Sequence, residues 1–279
     1  MFILCIYYLQ KKDKYDKILN NNEEREILMP KFFVKNNQVI DNVIEVIGED
    51  VNHIANVLRA KIGDEIQVCD TETSNNYIAA IEEIKKEKVT CKIIKQIESE
   101  AESPISISIF QGIPKADKME LIIQKSVELG VKEITPVQME RCISKINGKD
   151  ESKKIERWQK ISEVAAKQSG RDIIPKINNV VKITDICNQI NNFDIIIVPY
   201  EKAEGYSLRD SIEEIKRNSK KELSIGIVIG PEGGFDFSEI ELLKSSGAKI
   251  VTLGKRILRT ETVALAMISV IMYELGGSI

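Results

Sequence analysis

Three stretches of this chain combine residue types that can hold and act on a polar ligand. Gly230-Pro231-Glu232-Gly233-Gly234-Phe235 follows an apolar run, Ser224 to Ile229. Leu253-Gly254-Lys255-Arg256-Ile257-Leu258-Arg259-Thr260-Glu261-Thr262 continues from another, Lys249 to Leu253, and Val198-Pro199-Tyr200-Glu201 ends a third. Glycines at the end of a buried strand let the backbone approach a ligand and present bare amide and carbonyl groups. The first stretch is neither G-x-G-x-x-G nor G-x-x-x-x-G-K-[ST], and no G-x-S-x-G elbow exists, so dinucleotide, P-loop and serine-hydrolase chemistry fit badly. Taken alone, such a turn is more often a tight connection than a binding loop. Arg256 and Arg259 lie on the N-terminal side of a helix, the unfavourable end of its dipole for a cation, and an anion such as an RNA phosphate would relieve that placement. A solvated charge cluster at a helix start, with Glu261 favouring the dipole, is the plainer alternative.

The elements that must position these stretches alternate between strand and helix. Ile105 to Phe110 reads as a strand, and Asp117 to Leu129 as a helix with Met119, Ile122, Ile123 and Val127 on one face and Gly130 as its stop. A strand at Ile134 to Val137 and a helix at Glu156 to Ser169 follow. The strands Asp194 to Val198 and Ser224 to Ile229 are near-continuous apolar runs, the mark of strands buried on both faces of a parallel sheet. Ser238-x-x-Glu241 offers a capping box for a helix ending at Gly247, Lys249 to Leu253 is the last strand, and Thr262 to Leu275 the last helix. In such α/β sheets ligands bind outside the carboxyl ends of the strands, where all three stretches lie.

The first half differs. Phe32 to Val34, Val43 to Ile47, Glu65 to Cys69, Tyr77 to Ile81 and Val89 to Ile93 are short and rich in β-branched and aromatic residues, with turns at Gly48-Glu49-Asp50, Gly63-Asp64 and Ser74-Asn75-Asn76. One helix, Val51 to Ala60, interrupts them. This is the pattern of a small barrel. Residues 1–28 read as a flexible extension: the apolar run Phe2 to Leu9 is far too short to span a membrane, and Lys11 to Glu26 is polar and Asn-rich. With 279 residues, two domains are expected, residues 29–100 and 104–279, joined through Ala101 to Pro104. Five scattered cysteines without a C-x-x-C pair suit a reducing, cytoplasmic setting, and a single histidine, His53, makes a zinc site unexpected. A net charge of −3 neither announces nor excludes a nucleic-acid partner, since binding depends on where the bases cluster.

Ile229-Gly230-Pro231-Glu232-Gly233-Gly234-Phe235 followed by Leu253-Gly254-x-Arg256-Ile257-Leu258-Arg259-Thr260-Glu261-Thr262-x-Ala264 resembles the RsmE family, SPOUT-class methyltransferases of small-subunit ribosomal RNA. Met29-Pro30-x-Phe32-Phe33, His53-x-x-x-Val57-Leu58-Arg59, Pro114-Lys115-x-Asp117-Lys118-Met119-Glu120, Lys125-x-x-Glu128-Leu129-Gly130, Glu140-Arg141, Arg157-Trp158 and Gln168-Ser169-Gly170-Arg171 resemble other parts of it in order. The resemblance covers Met29 to about Leu275. Residues 1–28, Val263 in place of an expected alanine, and Gln111-Gly112 where a lysine often precedes the glycine depart from the pattern. The resemblance implies an α/β protein with an N-terminal PUA-like small β-barrel and a C-terminal SPOUT α/β domain containing a trefoil knot, working as a homodimer. It also implies S-adenosylmethionine as methyl donor and N3 of a uridine in 16S rRNA of the small ribosomal subunit as acceptor.

Such a transfer needs donor carbon and acceptor nitrogen held in line and one proton managed. A cation that favours a more anionic base would assist. Arg259 is the candidate for this, or for clamping a neighbouring phosphate. Glu261 is a candidate proton acceptor, though a carboxylate stabilised by a helix dipole is a weak base and capping is its plainer role. The cofactor is expected on Val198, Pro199, Gly230, Pro231, Glu232, Gly233, Gly234, Leu253, Gly254, Ile257, Leu258 and Thr260, largely through backbone groups. For RNA, the candidates are His53, Arg59, Lys115, Lys118, Arg141 and Arg171, with Arg171 beside Gly170 the foremost for a phosphate. His53 serves equally well as a structural histidine. A non-catalytic ribosome-assembly factor, and a SPOUT enzyme acting on tRNA, stand as the other readings.

Overall fold

The computed structural model describes residues 29–98, 101–146, 148–217 and 222–276; the extension expected at residues 1–28 lies outside them. Two compact units divide at Ser99 and Glu100.

The N-terminal unit comprises β1 (Lys31–Val34), β2 (Val39–Ile40), β3 (Val43–Ile47), β4 (Glu65–Asp70), β5 (Asn76–Ile84) and β6 (Lys88–Ile97), ordered β1-β4-β5-β6-β3-β2. Only β1 and β4 run parallel. Alternating burial along β1 and β3 sends Phe32, Val34, Ile44 and Val46 into a core completed by Ile54, Ile66, Val68, Ile81 and Val89. The interrupting helix is one α-turn, α1 (Glu49–Asn52), that widens into a π-helix over His53–Val57. Gly48 opens it at φ +79° and Arg59 closes it at φ +53°, so it ends before the expected Ala60.

The C-terminal unit is built on six parallel strands: β7 (Ile105–Gly112), β8 (Glu133–Val137), β9 (Lys176–Ile177), β10 (Ile195–Pro199), β11 (Leu223–Ile229) and β12 (Lys249–Val251), ordered β12-β10-β11-β7-β8-β9. Its helices are α2 (Lys118–Glu128), α3 (Gly148–Ser169), α4 (Ile183–Asn188), α5 (Leu208–Arg217), α6 (Phe237–Ser245) and α7 (Thr260–Leu275). β7 is buried along nearly its whole length, as its apolar sequence requires of a strand in mid-sheet.

Several boundaries differ from the sequence reading. α3 starts eight residues early. α4 and α5 lie where no helix was expected; α5 is highly charged, but Leu208, Ser211, Ile212 and Ile215 recur at helical spacing on its buried face. The capping box of α6 is formed by Asp236 and Glu239, not Ser238 and Glu241: Asp236 accepts from Ser238 N–H at 3.1 Å, and its own N–H donates to Glu239 at 2.9 Å. The aspartate offers the same chemistry two residues earlier and takes the cap. β12 stops at Val251, which leaves Thr252 and Leu253 outside the strand.

Candidate active site

A cavity of about 470 Å³ opens at the carboxyl ends of the parallel strands. Lys118, from the segment after β7, joins residues 199–201 at the end of β10, 229–235 at the end of β11 and 252–254 and 256–260 after β12 in lining it, with Val263 of α7. The chain runs outward from β7 through β8 to β9 and then crosses to β10 and β11 on the other side. Loops leaving β7 and β11 therefore diverge, which opens a crevice between them.

The turn after β11 is tied down along its length. Gly234 adopts φ +68° and its N–H donates to Pro231 O at 2.9 Å. Phe235 folds back beneath Gly230 and meets Tyr200 edge-on, ring centroids 6.4 Å apart. Arg141 donates to Gly233 O at 3.4 Å and to the Asp236 carboxylate at 3.2 Å. Both Glu232 carboxylate oxygens accept from Lys115 N–H, at 3.1 and 3.2 Å, and the Lys118 ammonium lies 3.0 Å from one of them. From the sheet side, Gly112 packs so closely that a Cβ there would sit 2.7 Å from Pro231 N. The Thr260 hydroxyl donates to Gly230 O at 2.7 Å and accepts from Gln111 Nε2 at 2.9 Å.

The turn after β12 has little of this. Gly254 takes φ +102°, and its N–H donates to Thr252 Oγ1 at 3.2 Å. Ile257 is 85% exposed, and Arg256 and Arg259 are exposed as well. Neither guanidinium has a hydrogen-bond or ion-pair partner among the described residues. Arg259 is the N-cap of α7 and its side chain makes no capping bond, so it leaves the first N–H groups of that helix uncapped.

Charge at the edge of the cavity is organised by Lys118. Its ammonium contacts Glu232 at 3.0 Å and Glu261 at 3.5 Å, and the hydrogen bond to Glu232 raises its pKa. For Glu232, burial pushes the carboxyl upward. The hydrogen bonds it accepts from its own N–H, from Lys118 and from Lys115 N–H outweigh that, and the group lies below its ordinary value. Glu261 sits in the first turn of α7 with one carboxylate oxygen buried and unbonded except for the Lys118 ion pair. It does not line the cavity.

Of the residues expected to hold a cofactor, Pro199, Gly230, Pro231, Glu232, Gly233, Gly234, Leu253, Gly254, Ile257, Leu258 and Thr260 all line this one cavity. Val198 does not: it is fully buried in the sheet core, because the strand alternation turns it away from the opening. Tyr200, Glu201, Thr252 and Val263 line the cavity without having been assigned a role from sequence. Their signal was position alone, directly after or facing the ends of strands.

The RNA candidates scatter. Arg171 must be corrected. It is 3% exposed, its Nε and Nη2 donate to the Glu102 carboxylate at 3.2 and 2.6 Å, and Nη1 donates to the carbonyls of Val127 and Val131. The same carboxylate accepts from the N–H of Asp172 and Ile173. This arginine ties the C-terminal ends of α2 and α3 together, with four of its five N–H donors engaged within the fold and its side chain shielded from an incoming phosphate. Removing Glu102 would strand a buried charge, which costs roughly 3–5 kcal/mol. Arg141 and Lys118 are engaged by the loop after β11, whereas the Lys115 side chain is exposed. In the other unit, His53 is half-buried edge-on to Phe32 at 5.8 Å, and Arg59 is exposed at the end of the π-helix.

The cavity has the size of sites that enclose drug-sized ligands, roughly 300–1,000 Å³. Its walls offer backbone groups from two glycine turns and the ring of Tyr200, suited to a purine, a ribose and an amino-acid tail. Residues 101–272 match the RNA methyltransferase domain family, and residues 46–94 the RNA methyltransferase PUA domain. The chain is 37% identical to ribosomal RNA small subunit methyltransferase E of Bacillus subtilis (strain 168), over 82% of this chain and 89% of that one. It is 33% identical to the protein of that name from Mesomycoplasma hyopneumoniae (strain 232), over 86% and 98%. The crystal structure of ribosomal RNA small subunit methyltransferase E from Neisseria gonorrhoeae bound to S-adenosyl methionine superimposes with a TM-score of 0.78 at 30% identity, covering 89% of this chain and 99% of that one. The chain therefore belongs to the RNA methyltransferase family that contains the ribosomal RNA small subunit methyltransferase E proteins.

Proposed function

We propose that this protein transfers a methyl group from S-adenosylmethionine to N3 of a uridine in 16S rRNA of the small ribosomal subunit. One observation carries the reading: a single cavity with two unlike walls, one fixed and rich in backbone groups, the other carrying unpaired guanidiniums at an open helix start. The fixed wall suits the donor, which must be seated the same way at every turnover. The open wall suits a polyanion that arrives from solution. Arg259 is assigned to the anionic character that N3 acquires as its proton departs, or to the adjacent phosphate, and Arg256 to the RNA backbone. Glu261, held by Lys118 away from the cavity, is assigned to positioning rather than to proton transfer.

Lys115, Arg59 and His53 are the remaining candidates for RNA contact. The target base must be unpaired or flipped out before N3 can be reached. A trefoil knot and a cytoplasmic location belong to the same reading, as does a homodimer. In favour of the dimer, α7 leaves Val270 and Tyr273 exposed on its outer face, Tyr273 at 73%. Among the described residues, no helix is long and apolar enough to cross a membrane.

The test is mass spectrometry of 16S rRNA from a strain lacking the gene, with and without complementation. Loss of one 3-methyluridine, restored by the wild-type gene, is the expected result. An unchanged 3-methyluridine content would refute the assignment.

A further inference from the structure

Thr260 lines the cavity, yet its hydroxyl has no proton to spare for a ligand. Its single proton goes to Gly230 O at 2.7 Å, and its oxygen accepts from Gln111 Nε2 at 2.9 Å. It is 6% exposed, and Gln111 is 0% exposed. The Gln111 amide is locked in one orientation, because Nε2 also donates to Gly112 O at 2.9 Å and a flip would aim Oε1 at that carbonyl. The cost is visible: Gln111 Oε1 is buried without a partner, a penalty that an apolar side chain of similar size would avoid. In return the amide directs the Thr260 proton at Gly230 and nowhere else.

Three segments meet in this bond chain: the end of β7, the turn after β11 and the first residue of α7. The last two are joined a second time through Lys118 of α2, which pairs with Glu232 and Glu261. The ionic link is partly exposed and weakened by salt. The neutral link is buried and indifferent to salt and to pH.

We infer that Gln111 and Thr260 form a positioning strut that fixes the distance between the two loops of the donor cavity, so that Thr260 acts on Gly230 and does not itself bind the donor through its hydroxyl. This rests on the donor-site reading above. Thr260→Val removes the hydroxyl at nearly constant shape, Thr260→Ser keeps it, and Gln111→Leu removes the amide that orients it.

The experiment measures donor binding by calorimetry with S-adenosylmethionine, and donor and RNA KM in methylation of small-subunit RNA, for the full chain. Thr260→Val is expected to weaken donor binding by about tenfold, and Gln111→Leu by about threefold or more. Thr260→Ser is expected to stay within about threefold of wild type. The double variant should be no worse than Thr260→Val alone, since the two side chains act as one unit. The loss should fall on the donor KM and leave the RNA KM unchanged, whereas a general loosening of the fold would move both.

Donor affinity of Thr260→Val within about threefold of wild type, or losses that multiply in the double variant, would overturn the strut. If Thr260→Val does not fold, Gln111→Leu and Thr260→Ser decide: unimpaired binding by the first, or tenfold loss by the second, overturns it in the same way. Wild-type protein that fails to bind the donor would instead refute the donor-site reading itself.

Discussion

The turns that follow β11 and β12 leave the same edge of one sheet and face one cavity, yet they are held in opposite ways. Residues 230–235 are fastened by Arg141, Lys115, Lys118, Gln111 through Thr260, and the capping box of α6. Residues 253–259 have one short internal bond, two unpaired arginines and an isoleucine almost wholly in water. A rigid turn keeps backbone donors and acceptors where a small ligand needs them, without an ordering cost at each binding event. A loose, cationic turn can adapt to a macromolecule and is ordered by it. On the proposed function, one edge of the sheet would serve two partners, because its tethers are concentrated on one turn.

That contrast can be broken at four points. Arg259→Ala should have the largest effect, a fall in turnover of about 100-fold, as for removal of one group that stabilises developing charge. Calorimetry on the same variant should show donor affinity within about threefold of wild type; a comparable loss in both would mean that the Arg259 side chain, and not only the backbone of its turn, seats the donor. Gly112→Val comes next. Its side chain would collide with Pro231 and Met139 and push the fixed turn off β7, lowering stability by roughly 1–3 kcal/mol. Thermal unfolding reads this as a Tm reduced by several degrees, and an unchanged Tm would show that the turn is not held from the sheet side.

Arg141→Met should cost less, because the ion pair is largely exposed: roughly a two- to fivefold weaker donor affinity, with the RNA KM unchanged. The reverse pattern would return Arg141 to RNA binding. Gly233 is a related case. Its absent side chain would meet Arg141 Cβ and backbone at 3.0–3.1 Å, so a valine there disturbs the tether before it fills the cavity.

The smallest effect is a pH dependence. The folded pKa of Glu232 lies below its ordinary 4.5, so its tether contributes fully above that value and is lost as pH falls through the folded pKa. The difference in Tm between wild type and Glu232→Gln should therefore be constant near neutrality and shrink only below about pH 4.5. A difference that already fades at about pH 6 would assign the effect to another group.

Much of the fold was legible because local pattern and burial agree. The apolar runs ending at Val198 and Ile229 could only be strands covered on both faces, and both are central in the sheet. The glycine turns announced the ends of β11 and, within two residues, β12, and all but one of the expected cofactor residues border the same cavity. The exception, Val198, failed on strand alternation, which decides facing one residue at a time. α5 was missed because charged residues hide a four-residue buried stripe. The cap of α6 was misplaced because two overlapping sequences satisfy the same motif.

The arginines show where the sequence stops. Arg171 and Arg259 each stand beside a helix boundary and a glycine or loop, with nothing in the local sequence to separate them. Partners 40 to 69 positions away in the chain, the carbonyls of Val127 and Val131 and the carboxylate of Glu102, bury one and engage four of its five donors. No such partner reaches the other. The sequence alone determined the longer strands, most of the turns and the family, since these follow from local periodicity and from motifs read in order; the two-residue strands β2 and β9 are too short to show a period. Only the tertiary structure decided which charged groups are spent on the fold and which remain for a ligand, because that depends on groups brought within 3 Å by packing rather than by proximity in the chain.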